Sequence, residues 1–92
     1  MHSQTPTDPY ALALAALAAT LDQPQRAQRF LDLTGIGTDE LRRRAGEPRL
    51  LASLIEFLEA HEPDLLAVSE AIGLKAEQLV EARRLLEDER KA

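Results

Sequence analysis

Apolar residues recur along this chain at the three- and four-residue intervals of α-helices, and Pro and Gly interrupt them repeatedly. The first run extends from Pro9 to Leu21, with Thr7 or Asp8 in position to cap it and Pro9 in its first turn. Tyr10, Leu14, Leu17 and Leu21 fall on one face. Leu12, Ala13, Ala16 and Ala19 make much of the remainder apolar too, so this helix either runs through the centre of a bundle or offers a second face to a partner. Asp22-Gln23-Pro24 breaks the chain and predicts a second helix from about Pro24 to Thr34, with Ala27, Phe30, Leu31 and Leu33 on its buried side. Gly35 stands where a left-handed residue would close that helix.

Thr38 is expected to cap a short third helix that carries Asp39 and Glu40 in its first turn and ends at Gly46. Pro48 opens a fourth helix that ends near His61. Its apolar set is Leu50, Leu51, Leu54, Ile55, Phe57 and Leu58, opposed by Arg49, Ser53, Glu56 and Glu59. This is the clearest amphipathic pattern in the chain and predicts the centre of the core. Pro63 opens a fifth helix with Leu65, Leu66, Val68 and Ile72 inward, and Gly73 ends it. The sixth begins near Ala76, places Leu79, Ala82 and Leu86 on one face, and runs into a charged end. Residues 1–7 read as a disordered N-terminus, 8–87 as one helical domain and 88–92 as a frayed charged tail.

The fold class is therefore all-α, a compact single-domain bundle of five to six short helices with two Gly-terminated αα-corners. Composition agrees. Hydrophobic residues make up 45% of the 92 positions but aromatics only 3%, so Leu and Ala must do most of the burying, and both are strong helix formers. The corner Gly35-Ile36-Gly37-Thr38-Asp39-Glu40-Leu41 resembles Gly73-Leu74-Lys75-Ala76-Glu77-Gln78-Leu79 at an offset of 38 residues. Internal duplication would produce this likeness, and so would helix punctuation common to any α protein.

Charge and chemistry narrow the function. The net charge is −5, concentrated in residues 50–92, whereas residues 22–49 carry a slight positive excess from six arginines. A phosphate backbone is repelled by most of such a surface. The corner at Val68-Ser69-Glu70-Ala71-Ile72-Gly73-Leu74 has helix-turn-helix spacing. The helix after it mixes Lys75, Gln78, Arg83 and Arg84 with Glu77 and Glu81. Arg42, Arg43 and Arg44 are consecutive, and so point about 100° apart on a helix rather than forming one patch. His2 and His61 lack metal-ligand spacing, the serines lack a nucleophile elbow, and Gly35-Ile36-Gly37 lacks a preceding strand. No catalytic residue, metal site or cofactor is expected.

There is no cysteine, which fits a reducing, cytoplasmic setting. The charge-free run from Tyr10 to Leu21 is too short for a membrane span, and no Lys or Arg precedes it as in a signal peptide.

Arg29-Phe30-Leu31, Leu33-Thr34-Gly35, Leu41-Arg42, Arg44-Ala45-Gly46, Pro48, Phe57-Leu58 and Gly73-Leu74 together resemble a bacterial family of small, uncharacterised all-helical proteins, a domain of unknown function. The resemblance covers most of the chain, from about Tyr10 to Leu86. It implies a compact α-helical fold and a bacterial cytoplasmic setting, and it transfers no functional residue. Members often carry Asp or Ser followed by Pro where this chain has Lys75-Ala76, which leaves the cap of the sixth helix unassigned. The expected function is a non-enzymatic protein-interaction or regulatory adaptor. The free face of the first helix and Arg42, Arg43 and Arg44 would contact an unidentified protein partner. The alternatives are a helix-turn-helix-like nucleic-acid module and a small structural homodimer.

Overall fold

Prolines set the helix starts. Pro9, Pro24, Pro48 and Pro63 each occupy a first turn, where a missing N–H costs nothing and the fixed φ suits the helix. A computed structural model describes residues 8–91, with side chains through Asp88. Among these residues the chain forms six α-helices: α1 Pro9–Leu21, α2 Pro24–Thr34, α3 Thr38–Arg44, α4 Pro48–Glu59, α5 Glu62–Ala71 and α6 Ala76–Lys91. Of the two possible caps for α1, Asp8 takes the role, its Oδ1 accepting the Tyr10 N–H at 3.0 Å. Thr7 and the rest of the segment expected to be disordered lie outside the described residues, as does Ala92. Helix α6 is continuous to Lys91, within the segment 88–92 that reads as a charged tail.

The core is built around α4, which buries Leu50, Leu51, Ala52, Leu54, Ile55, Phe57 and Leu58. Helices α6, α1 and α5 pack around it. From α6 come Leu79, Ala82 and Leu86, as their spacing predicts. The α1 face differs from the expected one. Leu12, Ala13, Ala16, Leu17 and Thr20 are buried, while Leu14 is 42% and Leu21 38% exposed. A helix apolar on nearly every side has no face fixed by its own pattern. Its neighbours choose, and the fully buried Ala13 and Ala16 let α1 lie close to α4 and α6.

Two more leucines expected inside are exposed: Leu33 at 72% and Leu66 at 52%. In α5 the inward positions are Leu65, Val68, Ser69 and Ile72, a single stripe at helical spacing that excludes Leu66. Ser69 enters that stripe because its hydroxyl donates to the Leu65 carbonyl at 2.7 Å, and Thr20 is buried by the same device through Ala16. Leu33 lies along the edge of α2 that carries Arg26 and Arg29, which reaches α5 through charged groups rather than apolar ones.

The two glycine corners share a left-handed residue, Gly35 at φ +74° and Gly73 at φ +73°, but close differently. The Gly35 N–H donates to the Leu31 carbonyl in a single bond. After α5, Leu74 N–H donates to Ser69 and Gly73 N–H to Glu70, the paired Schellman arrangement. Thr38 does not cap α3. Gly37 holds that position in extended backbone, and Thr38 is the first helical residue. The cap of α6 comes from within, because the Gln78 side-chain oxygen accepts the Lys75 N–H at 2.8 Å, half of a capping box.

Leu54→Ala should lower unfolding free energy by about 2–5 kcal/mol, whereas Leu33→Ala should change it by less than about 0.5 kcal/mol. Urea denaturation of the two variants checks the orientation of α4 and α2 together. Comparable losses would contradict it. Leu54→Asp should abolish cooperative melting, since an unpaired charge would be buried there.

Candidate functional site

The α2–α3 segment is seated lightly. Phe30 is the one buried residue of α2, and Leu41 the one buried residue of α3. Ile36 between them is half-buried against the core. Charged groups reinforce this seating. Asp64, buried in the first turn of α5, accepts from Arg26 Nε at 3.1 Å and Arg29 Nη2 at 2.6 Å. The Arg29 guanidinium also lies 5.7 Å from the centre of the Phe57 ring, and Phe57 meets Phe30 edge to face at 5.3 Å. Burial pushes the Asp64 carboxyl up, but the hydrogen bonds from Arg29 and Arg26 outweigh it and hold the group below its ordinary value of 3.8. Sequence reasoning missed this bracket. An acid in a proline-started first turn reads as a solvated dipole partner.

Between this segment and α1 runs an open apolar groove of about 420 Å³. Leu17 and Leu21 of α1 line one side, and Ala27 and Leu31 of α2 the other. Thr38, Leu41 and Arg42 of α3 close it, with Ala45 just beyond. Its existence follows from local chain rules. Asp22 ends α1 and Pro24 starts α2 almost at once, so the two helices diverge from a short link. Gly35 then reverses the chain and lays α3 across their open side.

The three arginines singled out in the sequence separate in space. Arg42 is exposed at the groove, and Arg43 is exposed but does not line it; neither is in an ion pair among the described residues. Arg44 is engaged internally, 3.2 Å from Glu40 and 2.9 Å from Glu47. Of the outward face of α1, which is Ala11, Leu14, Ala15, Ala18 and Leu21, only Leu21 reaches the groove. His61 is exposed and begins α5 as its N-cap residue rather than ending α4, and His2 lies outside the described residues.

A second charged cluster clamps α4 to α6. Arg83 donates to Glu59 at 2.5 and 3.3 Å and to Glu87 at 3.0 Å. Glu56 faces the same group. Its hydrogen bond with the Glu87 carboxyl requires a proton. That bond, followed by burial, raises Glu56 above its ordinary 4.5. Among the described residues no three His, Asp or Glu side chains are grouped to hold a metal ion. No helix is long and apolar enough to cross a membrane.

A six-helix bundle in which Arg26 and Arg29 brace α2 against Asp64 of α5, and Arg83 of α6 braces Glu59 of α4, defines the chain as a small all-α protein. Among such proteins, the chain belongs to DUF3572, a family of proteins of unknown function whose sequence pattern matches residues 6–89. The Arg29-Phe30-Leu31 to Gly73-Leu74 blocks that resemble a family of small uncharacterised helical proteins lie inside that span. No curated protein and no solved structure matches the chain.

Asp64→Asn should cost about 1–3 kcal/mol at neutral pH, the range for hydrogen bonds to charged groups. Because the folded carboxyl lies below its unfolded value, its contribution is present above about pH 4 and is lost as pH falls through the lowered value. Urea midpoints of wild type and variant should therefore converge in acid. A gap that persists undiminished there would contradict the bracket. Glu56 carries the opposite sign. Its raised value stabilises the fold below the unfolded pKa, and that benefit is lost as pH rises through the folded one. Glu56→Gln should melt above wild type at pH 7 and lose that advantage in acid, as read by calorimetry.

Proposed function

We propose that this protein is a non-catalytic interaction module that docks a partner protein in the α1–α2–α3 groove. The observation that carries this reading is an open apolar channel with an unpaired arginine, Arg42, on its rim. Apolar grooves with a few placed polar groups are where proteins receive ligands and partner segments. The absence of cysteine supports a cytoplasmic setting. The helix-turn-helix alternative has less support, because Arg83 and Arg84, two of the basic residues it would use, are engaged: Arg83 with Glu59 and Glu87, and Arg84 with Glu81 at 3.9 Å.

The test is parallel affinity capture with tagged wild type, Leu21→Asp, Arg42→Glu and a matched charge reversal away from the groove, Arg84→Glu, each first shown to melt like wild type. A genuine partner is retained by wild type and Arg84→Glu and falls at least about fivefold with the two groove variants, a loss of roughly 1 kcal/mol. It must also bind the purified chain directly. Identical capture by all four proteins would remove the groove from the account.

A further inference from the structure

We propose that the Arg26–Asp64–Arg29 bracket is a tether that sets the opening of the groove, holding α2 at one rotation and tilt against α1 through residues that do not line it. The tether acts whether or not a partner protein fills the groove, so its test and the capture test fail independently.

A helix fixed by one buried side chain is located at a point and left free to turn about it. Helix α2 has one such anchor, Phe30, which is fully buried and meets the Phe57 ring. Leu31 and Ile36 rest partly buried against the core, and of the other helices only α1 packs broadly against α2. None packs broadly on α3, whose one buried residue is Leu41. The turns add little restraint. At Gly35, Gly37 and Gly46 an added Cβ would meet nothing within 4 Å beyond its chain neighbours, so these turns stand clear of the body.

The missing restraint is electrostatic. Arg26 and Arg29 leave α2 one turn apart and reach separate oxygens of one carboxylate, Oδ1 at 3.1 Å and Oδ2 at 2.6 Å. Two attachments along the axis resist tilt, and the directional geometry of charge-assisted hydrogen bonds resists rotation. Asp64 is itself held firmly, its side chain 8% exposed in the first turn of α5, which packs on α4 and α1. Swinging α2 outward would leave that carboxylate buried and unpaired, which is strongly unfavourable. Among the described residues no other hydrogen bond or ion pair between side chains ties the segment to the body. Arg44 pairs with Glu40 and Glu47, its neighbours in sequence, and Gln28 with Asp32 on its own helix. The groove wall rides on the bracketed helix. Ala27 follows Arg26 and Leu31 follows Phe30, each turned about 100° from its neighbour, and both line the groove with Leu17 and Leu21. A rotation of α2 is therefore transmitted from bracket to wall, and Thr38, Leu41 and Arg42 follow on the same segment. Asp64 shapes the groove without lining it, as a positioning residue.

The chain has no cysteine, so spin labels can be placed on introduced ones. Ala18→Cys with Arg43→Cys reports α1 against the α2–α3 segment, and Ala15→Cys with Arg84→Cys reports α1 against α6; all four positions are exposed. Pulsed dipolar spectroscopy of the full chain at neutral pH should give one narrow distance for each pair. Asp64→Asn keeps the shape and removes the charge. It should broaden the first distribution about twofold and leave the second unchanged. Arg29→Gln, which leaves Arg26 on Asp64, should broaden the first pair less. Ile55→Val lowers stability from within α4 and should leave both pairs narrow, which separates positioning from loss of stability. Three outcomes overturn the proposal: a first pair unchanged by Asp64→Asn, equal broadening of both pairs, or equal broadening of the first pair by Ile55→Val. If Asp64→Asn does not fold, Arg29→Gln decides alone. Broadening of the first pair only upholds the tether, and an unchanged first pair removes it.

Discussion

The fold depends on the burial of α4. Leu51, Leu54, Ile55 and Leu58 have no exposure, and α1, α5 and α6 each take their orientation from that surface. With aromatics at only 3% of residues, no single large side chain organises the core. Interdigitating leucines do so, and the alanines of α1 set how near its backbone can come. Fully burying one such leucine contributes about 1.5–3 kcal/mol, so the layer around α4 outweighs any of the ion pairs at its edges. Arg83 and its carboxylates fix the register of α4 against α6 more than they hold the two together.

The α2–α3 segment obeys a different rule. It contributes Phe30 and Leu41 to the common core, rests Leu31 and Ile36 partly buried against it, and is further held by Asp64, a carboxylate taken out of water and answered by two guanidinium groups. Such a bracket tolerates less displacement than apolar contact does, because hydrogen-bond geometry is directional. It fixes where the segment stands without filling the space beneath it. The groove is the result: α1 and the arm are held at a set distance with carbon on the facing sides and little between them.

Element boundaries were legible in the sequence because prolines and glycines act locally. Pro9, Pro24, Pro48 and Pro63 and the left-handed Gly35 and Gly73 each sit where the pattern placed them. The buried faces of α4 and α6 were legible because their apolar stripes are narrow. The face of α1 was not, since a helix rich in Leu and Ala all round leaves the choice to its neighbours. Leu33 and Leu66 were misplaced because hydrophobicity alone outranks Ser69 and Thr20, whose hydroxyls satisfy themselves on their own helix. The bracket at Asp64 joins residues 35 and 38 positions apart, and no local pattern announces such a pairing. The arginine run drew notice as a unit, yet helical rotation and the neighbouring Glu40 and Glu47 gave Arg44 a different task from Arg42. Ala27 and Leu31 were legible as apolar but not as groove-facing, because a half-buried residue has the same identity whichever cavity it borders.

The uneven seating of the helices has a consequence for how the native state breathes. Around α4, backbone amides can meet solvent only when the whole core opens. The arm from Pro24 to Arg44 shares few core side chains, so it can lift as a unit at a lower free energy while α1, α4, α5 and α6 stay assembled. Hydrogen exchange is then expected in two tiers, a slow one for global unfolding and a faster one for detachment of the arm. Whatever settles in the groove bridges the two and draws the faster tier toward the slower.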